Sequence, residues 1–210
     1  FDISNLQGTD TVASMVVFID GKPKKSLYRK FIIKSVDGPD DFASMREVIE
    51  RRYKRVKEDN EKIADLIMVD GGKGQLSSAI EILKQLELKE YEIIGLAKRL
   101  EEVFLPGISE PQTIPKTSSS LKLLQHIRDE AHRFAISFHR DRRSKRTFTS
   151  ELLEIKGIGK KAAETLLKEI KSLEKIKTSS VEELSKHIGK SKATLIYNFY
   201  HKFPQKQSFK

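Results

Sequence analysis

The chain has 210 residues, with 38% hydrophobic and 33% charged side chains and no cysteine, which supports a packed core and excludes disulfide scaffolds, thiolate metal sites and thiolate nucleophiles. The formal net charge of +10 lies entirely after residue 139, because residues 1–139 hold 22 basic and 22 acidic side chains. A neutral front region followed by a basic tail predicts that the tail binds a polyanion. No apolar run is long enough to span a membrane and no signal peptide is visible, so a cytoplasmic protein is the default expectation. Because the first residue is Phe1, we expect the chain to be a piece of a longer protein.

The front region begins with strand patterns and then changes to a helical pattern. β-branched and aromatic residues predict strands at FDIS, at 11–20 and at 27–35, with turn chemistry in the intervening GKPKK. Residues 39–56 show helical periodicity after an acidic start that favours the helix dipole, with one apolar face formed by Phe42, Met45, Val48, Ile49 and Tyr53. The three strands are expected to form an antiparallel meander covered by this helix.

The next part of the chain repeats a strand and helix order. The apolar run 65–70 predicts a strand buried on both faces, GGKGQ leads into a helix, and another strand follows at 92–98. Residues 99–120 are rich in Pro, Ser and Thr and predict an extended or mobile loop. A strong helix then closes the unit near residue 143. The fold class predicted for residues 1–143 is α/β, with a mixed sheet flanked by helices.

The tail contains only short helical patterns. Residues 144–149 are predicted to be a basic linker, and residues 150–210 a small all-α domain. Residues 152–170 and 179–203 form an imperfect repeat about 31 residues apart, which aligns Gly159 with Gly189 and needs a one-residue shift in the helix that follows. Each copy has an apolar stretch, a glycine-centred turn with lysines and an amphipathic helix.

The repeated turns have the chemistry of a phosphate contact. In IKGIGKKA, two glycines permit a tight turn and close approach, and the next helix presents free N–H groups and a positive dipole end. The pattern resembles the helix–hairpin–helix motif, which grips the DNA backbone without reading bases. The alternative is a helical hairpin with a glycine cap and a solvated lysine face. The predicted DNA-binding residues are Lys156, Gly157, Gly159, Lys160, Lys161, Gly189, Lys190 and Lys192.

The second copy of the repeat departs from the motif. In His187-Ile188-Gly189-Lys190 the first glycine of the motif is missing. We therefore expect the second turn to hold phosphate less well than the first.

Three residues of the front region have a pattern that predicts a metal-dependent nuclease. Asp2 lies in the first strand, Asp70 ends an otherwise apolar strand, and His132 lies in the closing helix. A buried carboxylate is unfavourable unless it is paired or bound to metal, and strand ends are common ligand sites in open α/β sheets. Together the three residues match the layout of an RNase H-like nuclease, whose carboxylates hold Mg²⁺ or Mn²⁺. Taken singly, each Asp is a common cap or turn residue and a lone His is usually structural.

The segment GGKGQ has two possible roles. It is not a Walker A loop, because no glycine stands at the required distance before a Gly-Lys-Ser/Thr triplet. Its glycines permit a tight strand-to-helix turn, and Lys73 and Gln75 are candidates for contacting a phosphate or a base. Both interpretations remain open at this stage.

Several motifs together resemble one protein family. FDISN, GPDDFASM, LIMVDGGKGQL, GLAK, HIRDEAHRFA and the hairpins after RDRRSKR occur in the order found in the C-terminal half of UvrC, the incision subunit of bacterial nucleotide excision repair. The resemblance spans essentially the whole chain. It implies an RNase H-like endonuclease domain and a tandem helix–hairpin–helix domain, with a divalent metal and a cut on the 5′ side of a damaged nucleotide.

The resemblance also implies roles for individual residues. The catalytic acids of the family fall on Asp2 and Asp70, and its histidine falls on His132, as ligand or proton carrier. A further acid implicated in the family falls on Asp41, whose position at a helix start fits a structural role equally well.

Substrate, cofactor and partners follow from the same resemblance. It implies damaged double-stranded DNA as substrate, Mg²⁺ or Mn²⁺ as cofactor, and UvrB as a partner of the longer protein. This sequence lacks the family's GIY-YIG nuclease, cysteine-rich segment and UvrB-binding helical motif, so we expect it to make at most one of the two incisions and to lack the main UvrB contact.

Two other classes of protein compete with this prediction. One is a non-catalytic DNA-binding module whose front domain is a scaffold, and metal binding at Asp2 and Asp70 would discriminate against it. The other is a transposase or resolvase core, which the absence of a late acidic residue disfavours.

Overall fold

The computed structural model describes residues 1–5, 11–36, 38–97, 101–170 and 172–201, without the side chains of 141–146. The chain divides into two compact units, Phe1–His139 and Arg140–Lys210. The described residues contain no helix that is both long and apolar enough to cross a membrane.

The first unit begins with a three-stranded antiparallel sheet. Its register places Asp2 opposite Ser14, and Ser14 opposite Lys30. The predicted strand 11–20 is two strands in the structure. A turn follows the second one and leads into a small hairpin. A short 3-10 helix, Lys25–Leu27, precedes the last strand. The five strands are β1 (Asp2–Ser4), β2 (Val12–Met15), β3 (Phe18–Ile19), β4 (Lys22–Pro23) and β5 (Arg29–Ile32), with β1, β2 and β5 in the sheet and β3 and β4 in the hairpin.

A second sheet follows in the same unit. Its first two strands are parallel, and the remaining pairs are antiparallel. The last two strands lie within 99–120, so the prediction of a loop there was wrong. Both strands are short, and pairing supplies the order that their Pro- and Ser-rich sequence does not predict. The first of them pairs with the strand Ile93–Ala97, and the second pairs with the first. The four strands are β6 (Ile67–Asp70), β7 (Ile93–Ala97), β8 (Glu102–Phe104) and β9 (Gln112–Thr113).

Backbone hydrogen bonds link the two sheets between β1 and β6. The Phe1 nitrogen donates to the Met68 carbonyl at 2.7 Å, and the Asp70 N–H donates to the Phe1 carbonyl at 2.8 Å. This is a parallel pairing, and it sets Asp2 beside Asp70 on one face of the sheet. Phe1 and Val69 belong to the core on the opposite face.

Two helices supply that core. Helix α1 (Asp41–Glu58) begins after Asp40, whose side chain accepts hydrogen bonds from the Phe42 and Ala43 N–H groups. Helix α2 (Lys73–Gln85) begins inside the glycine-rich turn, three residues earlier than its apolar pattern predicts. The predicted apolar face of α1 is buried except for Phe42, and its buried members are Met45, Val48, Ile49 and Tyr53.

The remaining helices complete the chain. Helix α3 (Ser119–Leu153) extends ten residues beyond its predicted end, so the predicted linker 144–149 is helical. Four short helices follow it around a separate apolar core that includes Leu152, Leu166 and Ile196. The predicted fold class, an α/β mixed sheet followed by a small all-α domain, is confirmed. The four helices are α4 (Lys160–Glu169), α5 (Leu173–Thr178), α6 (Val181–Ile188) and α7 (Lys190–His201).

Candidate functional site

Asp2 is a buried carboxylate with an unsatisfied oxygen. It is only 4% exposed, and its Oδ2 has no hydrogen-bond partner among the described residues. Burial raises the pKa of Asp2 to about 6, and the negative charge of Asp70 raises it in the same direction. His132 partly offsets this rise. An ionised Asp2 is therefore unfavourable in the folded protein unless a cation approaches it.

Asp70 lies where β6 ends and the turn to α2 begins. Its backbone pairs with Phe1, so its side chain lies in the row next to Asp2. The chain order reverses between these two strands, since β1 connects to β2 on one side and β6 connects to β7 on the other. Such a reversal leaves a crevice at the carboxyl ends of the strands, which is a general location for ligand sites.

His132 approaches this pair from helix α3. Its Nδ1 lies 3.5 Å from Asp2 Oδ2, and its side chain is 49% exposed. The distance is long for a hydrogen bond, so the histidine contacts Asp2 electrostatically without satisfying its oxygen. Two other polar residues of α3 have different partners, since Asp129 accepts a hydrogen bond from Arg128 and His126 packs edge-on against Phe18.

Helix α3 is held against the sheet by polar contacts on both sides of His132. The buried Ser14 hydroxyl donates to the Ala131 carbonyl at 2.8 Å. One turn before His132, Arg128 bonds to Glu101 at 2.8 Å, and two turns after it, His139 Nε2 lies 3.1 Å from Ser4 Oγ. Burial lowers the pKa of His139, which keeps its ring neutral.

Sequence reasoning missed these contacts. For Ser14 a signal exists, because strict alternation in VASM places Ser14 on the face opposite to Ala13 and Met15. A buried polar residue on that face indicates a partner above the sheet. For Arg128 and His139 the sequence carries no comparable signal.

Asp41 has a different hydrogen-bond partner from the three residues described above. It is exposed at the first position of α1 and accepts a hydrogen bond from Asn5 Nδ2 at 2.6 Å. Both residues line an open cleft of about 760 Å³ at the carboxyl ends of β1 and β6, together with Phe42, Gly74 and Gln75. The structure thus places Asp41 in this cleft and gives it a bond to the strand that carries Asp2.

The glycines of GGKGQ allow neighbouring side chains to pack closely, and they do not adopt unusual backbone angles. None of them has a positive φ. A Cβ at Gly74 would lie 2.6 Å from the Phe42 ring, and the Gln75 side chain lies against Gly71. The Lys73 amine is exposed and donates to the Ser109 hydroxyl at 3.3 Å. The turn therefore packs α2 tightly against its neighbours, while Gln75 reaches the cleft.

The donor set suits a hard divalent cation. Asp2 and Asp70 offer adjacent carboxylates. The Asp2 oxygen that has no hydrogen-bond donor in the described part of the chain is a suitable ligand for a cation. Across the described ranges no group of three or more acidic or histidine side chains is close enough to hold a metal ion. Mg²⁺ is commonly bound by one or two carboxylates, with water and substrate phosphate as the remaining ligands. These residues fit that arrangement.

The first hairpin has the two glycines in different conformations. Gly157 has φ of +95°, which an L-residue rarely adopts, and Gly159 has φ of −93° and caps α4. Between them Ile158 is buried and its N–H donates to the Ile155 carbonyl at 2.9 Å. The predicted basic side chains of this turn are all exposed, namely Lys156, Lys160 and Lys161.

The second hairpin is built around a single glycine. Gly189 has φ of +79°, ends α6 and directly precedes α7, while His187 is helical. The structural repeat is 30 residues, since the Ala163 and Ala193 N–H groups donate to the Gly159 and Gly189 carbonyls. The shift used in the sequence alignment is therefore unnecessary. Lys190 and Lys192 are exposed at this turn.

Comparison with known proteins agrees with this architecture. Residues 1–136 match the family model of the UvrC RNase H endonuclease domain, and residues 149–199 match the SAM-like helix–hairpin–helix tandem. The UvrABC system protein C of Porphyromonas gingivalis is 57% identical over 198 residues, covering 94% of this chain and 33% of that protein. The proteins of the same name from Flavobacterium psychrophilum and Chlorobaculum tepidum are 54% and 51% identical, covering 96% of this chain and 34% and 32% of their own lengths.

The chain thus spans about a third of the length of these relatives. The two domain matches lie along the chain in the same order as the two structural units. The chain therefore belongs to the UvrC family, with the RNase H endonuclease domain of that family followed by a tandem helix–hairpin–helix domain.

Proposed function

We propose that this chain is a divalent-metal-dependent DNA endonuclease that makes the 5′ incision beside a damaged nucleotide in bacterial nucleotide excision repair. The observation that carries the proposal is the buried Asp2 oxygen without a hydrogen-bond donor, next to a second carboxylate and a histidine. The fold alone gains little from such an arrangement, because a buried carboxylate oxygen without a hydrogen-bond donor, beside a second carboxylate, is unfavourable. A metal site accounts for it.

The residues of the site have separate roles in this proposal. Asp2 and Asp70 would hold the cation, and Mg²⁺ or Mn²⁺ bound there would supply polarisation of the scissile phosphate and activation of water. His132 is half exposed, so its ring is able to exchange a proton with solvent or with the leaving oxygen. Asp2 beside Nδ1 and the Ser14 bond to the preceding residue orient the ring. Asp41 fixes Asn5 and so supports the end of β1.

The tandem hairpins supply the affinity for duplex DNA. The exposed lysines at the two turns and the N–H groups at the starts of α4 and α7 suit backbone phosphates. We assign the stronger grip to the first hairpin, which has both glycines of the motif. UvrB is the proposed partner of the longer protein, and its main contact lies outside this chain.

The incision assay tests the catalytic assignment. Full-length protein with its excision partners is given a damaged duplex labelled at one 5′ end, and the 5′ product is measured. We expect Asp70→Asn to lower 5′ incision by about 10²- to 10³-fold, because removing one preorganised electrostatic group from a reacting site has an effect of that order. The matched control is Asp65→Asn, an exposed acid paired with Lys62, which should cut normally.

Two further measurements accompany this assay. Duplex affinity should be the same for wild type and both variants, since the hairpins bind DNA. Calorimetry with Mn²⁺ should show saturable binding to this chain that is lost in Asp2→Ala and Asp70→Asn. Normal cutting by Asp70→Asn, with no Mn²⁺ binding to the parent, would instead identify the front unit as a scaffold.

The DNA-binding assignment has its own test. Each phosphate contact contributes about −0.9 to the slope of log affinity against log salt concentration. Lys160→Ala combined with Lys161→Ala should therefore make the slope shallower by about 2, whereas replacing Lys190 and Lys192 should change it less. Equal effects at the two turns would contradict the stronger grip assigned to the first.

A further inference from the structure

The cleft beside the metal site has features that the proposed catalysis does not use. It lies at the carboxyl ends of β1 and β6, between the starts of α1 and α2, and has a volume of about 760 Å³. Its walls include one aromatic ring, from Phe42, and two carboxamides, from Asn5 and Gln75. This volume is ample for a nucleotide-sized ligand.

Phe42 is the unusual member of its helix. The other apolar residues of the predicted face are buried, whereas Phe42 is 51% exposed. Its ring packs against Gly74, where a Cβ would lie 2.6 Å from Cε1 and 2.8 Å from Cζ. The absence of a side chain at Gly74 therefore makes room for the ring. Phe42 also lines the cleft.

The side chains of the cleft favour a base over a phosphate. Asp40 and Asp41 both line it, and their negative charges repel a phosphate. Asn5 donates to Asp41 through Nδ2, which fixes its amide and leaves its carbonyl oxygen as an acceptor. Carboxamides pair with the donor and acceptor groups on base edges. An aromatic face together with two carboxamides is the chemistry that holds a nucleobase.

The cleft is also close to the carboxylates. Asn5 follows Asp2 by three residues of extended chain, which spans about 10 Å at most. Gly72, which lines the cleft, follows Asp70 by two residues. A base in the cleft therefore belongs to a nucleotide within one or two positions of a phosphate bound at Asp2 and Asp70.

We propose that this cleft binds one unpaired nucleobase flanking the scissile phosphate, stacked on Phe42 and positioned by Asn5 and Gln75. A ring can stack on a base face only after the base has left the duplex stack, so the substrate must be unpaired at that position. The proposal rests on the proposed nuclease function. It adds a substrate requirement, namely a locally opened strand beside the cut.

Photo-crosslinking tests the proposal directly. Duplexes carrying 5-iodouracil in an unpaired bubble or at the same place in a fully paired duplex are bound to this chain without metal, at concentrations where anisotropy shows saturation. After irradiation, the cross-linked peptide is identified by mass spectrometry. We expect a cross-link at Phe42 that is at least about fivefold stronger for the unpaired probe, since base–aromatic stacking has this effect at the lower end of its range.

Three variants sharpen the result. Phe42→Tyr should retain the cross-link, and Phe42→Leu should lose at least about fivefold because it keeps the apolar volume without the ring. Gly74→Ala should also weaken the cross-link, because the new methyl group displaces the ring while favouring helix α2. Gly74→Ala keeps Phe42 itself, so it remains informative if Phe42→Leu folds poorly.

The outcomes separate this proposal from the nuclease function. Equal cross-linking of paired and unpaired probes, or an unchanged yield in both Phe42→Leu and Gly74→Ala, would overturn the base-binding cleft even if the protein cuts. Conversely, Asp70→Asn should cross-link like wild type. A chain that cross-links at Phe42 but never cuts supports the cleft and contradicts the nuclease.

Discussion

Asp2 and Glu47 are both buried carboxylates of the first unit, and their surroundings differ in every respect. Glu47 lies on α1 beside the end of β5, where it accepts hydrogen bonds from the Lys34 and Ser35 N–H groups, the Ser35 hydroxyl and Arg51. Asp2 lies in the middle of the joined sheets with an oxygen that has no donor within the described part of the chain. Glu47 is therefore surrounded by hydrogen-bond donors, whereas Asp2 has a second carboxylate beside it.

The pKa values of the two residues follow from these surroundings. Burial alone would raise the pKa of Glu47, but the hydrogen bonds from Ser35, Lys34 and Arg51 hold it below its usual range. Burial raises the pKa of Asp2 to about 6, and Asp70 adds to that rise. A carboxylate that serves the fold is supplied with donors by the fold. A carboxylate whose donors are missing is a candidate for binding a cation from outside.

The largest expected difference between the two residues is in cutting. Asp2→Asn should lower 5′ incision by about 10²- to 10³-fold, because it removes a charge from the proposed reacting site. Glu47→Gln should leave the rate within a few-fold of wild type, measured at a temperature where both variants are folded. A similar loss in the two variants would mean that Asp2 acts through the fold, as Glu47 does.

Stability should separate the residues in the opposite order. Glu47→Gln replaces charge-assisted hydrogen bonds to four donors and should lower the free energy of unfolding by about 2–3 kcal/mol at pH 7. The stability that ionised Glu47 contributes is present above its unfolded pKa of 4.5 and is lost as pH falls through its lower folded pKa. Urea unfolding should therefore show that the unfolding free energies of wild type and Glu47→Gln become equal in acid. A constant difference across pH would contradict the ionic role.

The pH dependence of Asp2 should have the reverse sign. Its folded pKa of about 6 lies above the unfolded value of 3.8, so its protonated form favours folding and this contribution is lost as pH rises through the folded pKa. In metal-free buffer, wild type should lose about 2–3 kcal/mol of stability between pH 4 and pH 7 relative to Asp2→Asn.

Mn²⁺ provides the control for that measurement. Added Mn²⁺ should stabilise wild type at pH 7, since a ligand that binds only the folded state shifts the equilibrium towards it. It should have no such effect on Asp2→Asn. If the difference in unfolding free energy between wild type and Asp2→Asn is constant from pH 4 to pH 7, burial does not raise the pKa of Asp2 as the structure indicates.

Much of this architecture could be predicted because its signals are local. The glycine turn around Gly157 and Gly159, the apolar strand ending at Asp70 and the helical period of α1 each lie within a short window of sequence. Motif order then identified the family. The short strands β8 and β9 could not be predicted, since β8 forms by pairing with β7 and β9 by pairing with β8, rather than from their own sequence.

The contrast between the two carboxylates could not be predicted either. Asp2 was singled out by its strand and by resemblance, but nothing local shows that its oxygen lacks a donor. Glu47 stands among charged residues of α1, and its donors come from a strand end more than ten positions earlier. Only the folded chain shows which acid is satisfied. For Ser14 the alternation in its strand indicates a partner, but only the folded chain shows that this partner is Ala131, 117 positions away.

The smallest expected effect tests whether the donors around Glu47 act as a set. Ser35→Ala removes one hydroxyl donor, 2.7 Å from Glu47 Oε2, and leaves the Ser35 N–H in place. We expect a loss of about 1 kcal/mol in unfolding free energy, because one hydrogen bond at a partly exposed position is removed. In the Glu47→Gln background the same change should have little effect, so a double-mutant cycle should give a coupling energy close to the whole loss. Zero coupling would mean that Ser35 and Glu47 stabilise the chain independently, and the distinction from Asp2 would then rest on the backbone donors and Arg51 alone.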